Sequence, residues 1–258
     1  MKYYVVDAFS DRPFHGNPAG VCVLDQPLPT ETMQAIAAEN NLSETAFVLK
    51  NNDFFDLRWF TPAMEIDLCG HATLGSAFVL FSFFETDQKL LSFHTQSGLL
   101  TVAKRGDLLE MDFPVREQLE TPVADAMEKT VNKKIISAHR GYNLQLELEN
   151  EEAVRSAIPK IEAIRALEEY HAVIITAKGE DVDFVSRFFG PNVGVNEDPV
   201  TGSAHTSLVP YWAGRLQKNT LTARQLSKRG GMLWCELKGG RVLISGKAYL
   251  YLKGEIFR

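Results

Sequence analysis

RFFGPNVGVNEDPVTGSAH, residues 187–205, sets a strand-like run, a proline turn, two acids and a Thr-Gly-Ser turn in one line. The first half of the chain carries an echo of it, RWFTPAMEIDLCGHATLGSA, residues 58–77. Arg58 aligns with Arg187, Phe60 with Phe189 and Pro62 with Pro191, an offset of 187 − 58 = 129 in a chain of 258 residues. Three residues are added further on, so Gly70-His71-Ala72 meets Gly202-Ser203-Ala204. In both halves the order is strand, proline turn, acids, glycine turn and apolar helix. That shared order predicts a duplicated fold.

The sequence between these stretches fits two α/β halves. YYVVDAF and AGVCVLD are β-rich runs, and PTETMQAIAAENN follows as a helix with Thr30 as its N-cap. GHATLGSAFVLFSFF is apolar around its circumference, so it must be wrapped by other elements. LLSFHTQSGLLTVAKRGDLLEMDF reads as a three-strand meander able to curl around it. In the second half KKIISAHRG, NLQLELE, HAVIITA and VDFVSRFF read as strands, with helices near 151–169. SAHTSLVPYWAGRL is the second apolar helix, and Pro210 is expected to bend it or end its regular part. The class is α+β, with halves at 1–115 and 116–258 and a return of the last strand to the first half left open. A ligand is expected in the cleft between the halves.

Composition narrows the function. A net charge of −6 without a Lys/Arg cluster argues against nucleic acid. Cys22, Cys69 and Cys235 are odd in number and widely spread, which fits a reducing cytoplasm better than a disulfide framework. The opening MKYYVVDAFSDRPF has acids too early for a signal peptide, and the longest apolar run is too short for a bilayer. A cytoplasmic protein with no membrane partner is expected. Histidines and cysteines lack zinc spacing, and phosphate loops, dinucleotide fingerprints and hydrolase elbows are missing from the sequence. No metal and no cofactor is expected; cofactor-free proton transfer is the chemistry left.

The glycine turns are candidate carboxylate sites. The first turn of a helix presents unpaired N–H groups and partial positive charge. Gly70 and Gly202 let backbone approach a ligand closely, and Thr201 and Ser203 add hydroxyls. Glu44, at the mouth of the strand ETAFVLK with Ser43 beside it, is the candidate acid/base. His71 is placed to pass a proton or bind substrate, and Asp198 precedes the second turn. His205 is open between a structural and a functional role. Cys69 shows no activating base in the sequence and is expected to be a buried small side chain.

FHGNPAGV (14–21), NLSETAF (41–47), RWFTPAMEIDLCGHAT (58–73) and GVNEDPVTGSAH (194–205) resemble the PhzF family of phenazine-biosynthesis-like proteins. The resemblance runs from the first strand past residue 212. It implies the diaminopimelate epimerase-like fold: two pseudo-symmetric halves, each a curled mixed sheet around a central buried helix, with the active site between them. It implies Glu44, His71 and Asp198 as catalytic residues, Glu44 moving a proton between carbons. Asn17, Ser43, Gly70, Thr201, Gly202 and Ser203 would contact substrate, expected to be a small cyclic carboxylic acid. The phenazine enzyme isomerises trans-2,3-dihydro-3-hydroxyanthranilate without a cofactor, and the family is commonly dimeric. Racemase relatives use two opposed cysteines. Here the second turn reads Pro199-Val200-Thr201-Gly202, so a two-thiol route is closed. The expectation is a cofactor-independent isomerase forming a homodimer. A non-catalytic metabolite- or partner-binding protein, or an epimerase or lyase on the same scaffold, are the alternatives.

Overall fold

The structure is a computed structural model describing residues 1–257. The chain forms two compact units, Met1–Asp112 with the segment from Ser245 onward, and Phe113–Ile244.

The first unit contains β1 (Lys2–Ala8), β2 (Asn17–Leu24), α1 (Thr30–Asn40), β3 (Glu44–Asn51), β4 (Phe54–Phe60), β5 (Glu65–Ile66), α2 (Gly70–Phe83), β6 (Leu90–Thr95) and β7 (Gly98–Arg105). β8 (Leu108–Pro114) leads out of it. The second unit has β9 (Leu119–Thr121), α3 (Asp125–Glu128), β10 (Ile135–Arg140), β11 (Leu144–Leu148), α4 (Glu151–Arg155) and α5 (Ile161–Arg165). It continues with β12 (Val173–Lys178), β13 (Phe184–Gly190), β14 (Val195–Asp198), α6 (His205–Leu216), β15 (Thr220–Gln225) and β16 (Gly231–Lys238). β17 (Arg241–Gly246) leads back, and β18 (Ala248–Glu255) pairs with β1 in the first unit.

The echo is a repeat of strand pairing. In the first unit β1–β2 is antiparallel, β2–β3 parallel, β3–β4 and β4–β5 antiparallel, β4–β6 parallel and β6–β7 antiparallel. The second unit repeats that series with β10, β11, β12, β13, β14, β15 and β16. The aligned arginines do the same job in each. Arg58 on β4 grips Glu65 on β5 through Nε–Oε1 at 2.6 Å and Nη2–Oε2 at 2.7 Å. Arg187 on β13 grips Glu197 near the end of β14 through Nε–Oε1 at 2.7 Å and Nη2–Oε2 at 3.0 Å. The acids lie 197 − 65 = 132 apart, and a 3₁₀ turn at Pro191–Val193 takes up the extra length.

Each unit buries apolar side chains on both faces of its sheet, which is why its strands read as near-continuous apolar runs. In the first, Met33 and Ala37 of α1 pack with Cys22, Phe47 and Phe60 on one face. α2 packs against β1, β2 and β3 with little of its circumference exposed, as its composition predicts. In the second, Val154 of α4 and Ile164 of α5 pack over Leu144, Leu146, Val173 and Ile175. α6 carries the other apolar surface, and Trp212 donates Nε1–H to Thr176 Oγ1 at 2.9 Å.

Three local expectations are corrected. Thr30 does not cap α1: the N-cap is Pro29, and the Thr30 hydroxyl accepts from Arg58 Nη2 at 3.0 Å. Pro210 neither ends nor interrupts α6, which runs from His205 to Leu216. Proline cannot donate to the carbonyl four residues back, and that carbonyl, on Thr206, is taken by the Arg116 N–H at 3.1 Å. The second glycine turn is also not the first turn of an α-helix. Gly202–Ala204 is a 3₁₀ turn and α6 starts after it, whereas α2 begins at Gly70 itself.

Candidate active site

In the first unit, parallel pairing sets the starts of β2 and β3 side by side, with Ala19 opposite Glu44. Asn17 opens β2, Glu44 opens β3, and His71 is the second residue of α2. These starts bring the three side chains together. Glu44 Oε2 is 2.9 Å from His71 Nε2. The Asn17 amide Nδ2 lies 3.2 Å from His71 Nδ1, and Cys69 Sγ lies 3.5 Å from the same nitrogen. The sulfur reaches the ring because Cys69 is extended (φ −141°, ψ 109°) just before the helix starts. Cys69 is buried, as expected, and the imidazole beside it was not visible in the sequence.

The ring's state follows from its neighbours. With the amide donating to Nδ1, the ring proton sits on Nε2, 2.9 Å from Glu44 Oε2; turning the amide over accommodates a second proton on Nδ1. Burial works against a charged imidazole, but the Cys69 sulfur and the Glu44 carboxylate outweigh it and hold His71 well above its ordinary value. Cys69 is itself pushed up, first by burial and then by Glu44. Glu44, Cys69 and His71 each offer one ligating atom, all within 4.8 Å of one another.

Ser43 stands half-buried just before Glu44, and Gly70 is buried at the first position of α2.

In the second unit, Asp198 closes β14 and accepts the Thr201 hydroxyl on Oδ2. Thr201 and Gly202 are buried, and Ser203 is half-buried in the 3₁₀ turn. Gln225, at the end of β15 and wholly buried, clamps this turn. Its Oε1 accepts the Thr201 N–H at 2.9 Å, and its Nε2 donates to the Asp198 carbonyl at 2.8 Å and to Thr201 Oγ1 at 3.3 Å. Ser227 Oγ donates to the Pro199 carbonyl at 2.7 Å. Sequence inspection missed both residues, because their pairing depends on β15 lying parallel to β13.

His205 lies at the start of α6. It is fully buried, its Nδ1–H donates to the Thr201 carbonyl at 2.9 Å, and burial pushes it down to about 4.

The model of the phenazine biosynthesis-like family, PhzC-PhzF, matches residues 6–254. An uncharacterized isomerase of Pseudomonas aeruginosa is 48% identical over 257 residues, covering 99% of this chain and 98% of that protein. A PhzF-family crystal structure from Enterococcus faecalis superposes with a TM-score of 0.98 at 49% identity, over 100% of this chain and 99% of the other. A probable proline racemase from Agrobacterium radiobacter superposes with a TM-score of 0.63 at 11% identity, covering 99% and 92% of the two chains, which shows a shared fold alone. Among the described residues no helix is long and apolar enough to cross a membrane.

Proposed function

The chain belongs to the phenazine biosynthesis-like (PhzC-PhzF) family, and on that premise we propose that it is an isomerase that moves a proton between carbons of a small carboxylic acid without a cofactor. The observation that carries the proposal is the contact of Glu44 with His71 at 2.9 Å. One carboxylate oxygen is held by the ring, which fixes the side chain; the other is assigned to the substrate. A carboxylate so held takes a proton from one carbon and returns it to another as a general acid/base. Asn17 orients His71 from the far side of the ring. Gly70, at the start of a helix of 14 residues, offers backbone N–H groups for a substrate carboxylate.

Asp198 and the Thr201–Gly202–Ser203 turn are assigned to substrate binding or to a second proton-sharing role. Support comes from the clamp that Gln225 places on them. Preorganised donors of this kind stabilise developing charge at little reorganisation cost. Ser43 is assigned a substrate contact by its place beside Glu44. The proposal includes a homodimer in the cytoplasm, in line with what is common in the family.

The test is incubation of the pure protein with trans-2,3-dihydro-3-hydroxyanthranilate and related unsaturated cyclic acids, with no cofactor added. An isomer of unchanged mass, formed by the native protein and not by Glu44→Gln, is the expected result. Equal conversion by Glu44→Gln would remove Glu44 from the mechanism.

A further inference from the structure

The cluster around His71 has a second chemical capacity. Cys69 Sγ and His71 Nδ1 are 3.5 Å apart. In a tetrahedral zinc site, with Zn–S of about 2.3 Å and Zn–N of about 2.0 Å, sulfur and nitrogen stand about 3.5 Å apart. The opposite ring nitrogen contacts Glu44 at 2.9 Å, the carboxylate–histidine arrangement that orients an imidazole toward a metal. Asn17 presents its amide 3.2 Å from Nδ1, so the turned amide brings an oxygen to the same side of the ring.

From this geometry we propose that Cys69 Sγ and His71 Nδ1 chelate a thiophilic divalent cation of the Zn2+ type, with Glu44 as the outer-sphere carboxylate on Nε2. A thiolate with an imidazole selects such an ion over Mg2+ or Ca2+, which take oxygen donors. Charge agrees: one thiolate and one carboxylate balance the two positive charges of the ion. Binding is an exchange without redox change. The Cys69 S–H bond breaks, an S–metal bond forms, and the thiol proton leaves to solvent. A protonated ring loses a second proton as Nδ1 becomes a ligand. Affinity therefore falls as pH falls. Glu44, with 14% of its side chain exposed, is the edge of the cluster that meets solvent.

The site stands on these distances alone. That filling it stops turnover rests on the proposed acid/base role of Glu44 and His71. In that case free Zn2+ inhibits and a chelator restores activity.

The experiment uses Co2+ as the probe and needs no substrate, so it fails or succeeds independently of the isomerase proposal. The native chain, treated with chelator and kept reduced, is titrated with Co2+ and read for the thiolate-to-cobalt charge-transfer band. One equivalent per chain is expected to saturate the band, and Zn2+ to bleach it. Cys69→Ser is expected to abolish it, while Cys22→Ser and Cys235→Ser keep it. Glu44→Gln is expected to keep it with affinity about tenfold weaker. A second measurement on the native chain covers the case in which Cys69→Ser fails to fold: Zn2+ should protect Cys69, located by peptide mass, from alkylation. No band at excess Co2+, a band that survives Cys69→Ser, or alkylation of Cys69 unaffected by Zn2+ would overturn the site.

Discussion

Glu44 Oε2 sits 2.9 Å from His71 Nε2, a contact between the first residue of a strand and the second residue of a helix. A carboxylate on one ring nitrogen favours the protonated ring, and His71 is held above its ordinary value despite burial.

The contact gives a pH signature in stability. A histidine raised in the folded state contributes stability that is fully present below its unfolded value and lost as pH rises through its folded value. Native protein and His71→Gln, melted across a pH series, should therefore differ most below about pH 6.5 and converge on the alkaline side. A gap that stays constant with pH would contradict the pairing.

His205 works in the opposite sense. Burial lowers it from 6.5 to about 4, so the unfolded chain binds a proton in that window that the folded chain does not. Stability is lost as pH falls from 6.5 toward 4, by about 3 kcal/mol for the full shift. His205→Asn retains a donor for the Thr201 carbonyl and cannot titrate. Denaturant midpoints at the two ends of the window should fall less in the variant than in the native chain.

The paired arginines predict unequal costs from equivalent positions. The Arg58 side chain is 34% exposed and that of Arg187 is 11% exposed. Arg187 also donates to the Val154, Arg155 and Ala157 carbonyls at the end of α4. Arg58→Ala should cost about 1 kcal/mol or less, as exposed ion pairs do. Arg187→Ala strands a carboxylate and three carbonyls and should cost about 3–5 kcal/mol. Equal losses in chemical denaturation would show that burial does not separate the pairs.

Gln225→Leu removes the clamp on the second turn and leaves the Thr201 N–H and the Asp198 carbonyl without their partner amide. Buried groups left this way cost about 1–3 kcal/mol each. Hydrogen exchange at residues 198–204 should quicken more than in α6, because the clamp acts on the turn. Unchanged exchange there would refute the clamp.

The repeat was legible because Arg58/Arg187 and Phe60/Phe189 sit on strands whose pairing recurs in the same order. Glu44 and His71 were legible through their motifs, and their contact could be placed only once β3 and α2 were. Beside the Gln225 and Ser227 contacts, two further features stayed hidden for physical reasons. Residues two apart in a regular helix do not face each other, so Cys69 against His71 depends on the extended backbone of an N-cap. Pro210 looked like a helix breaker because nothing local shows that Arg116, far off in sequence, fills the vacated Thr206 carbonyl.

In the proposed reaction Glu44 carries a proton between substrate carbons. Incubating native protein and Glu44→Gln in D2O with the unsaturated cyclic acids, and following carbon-bound hydrogens by proton NMR, tests it most directly. Solvent deuterium should enter one carbon position with the native protein, at a rate at least about a hundredfold lower with the variant. Deuterium entering at the same rate with both proteins would contradict it.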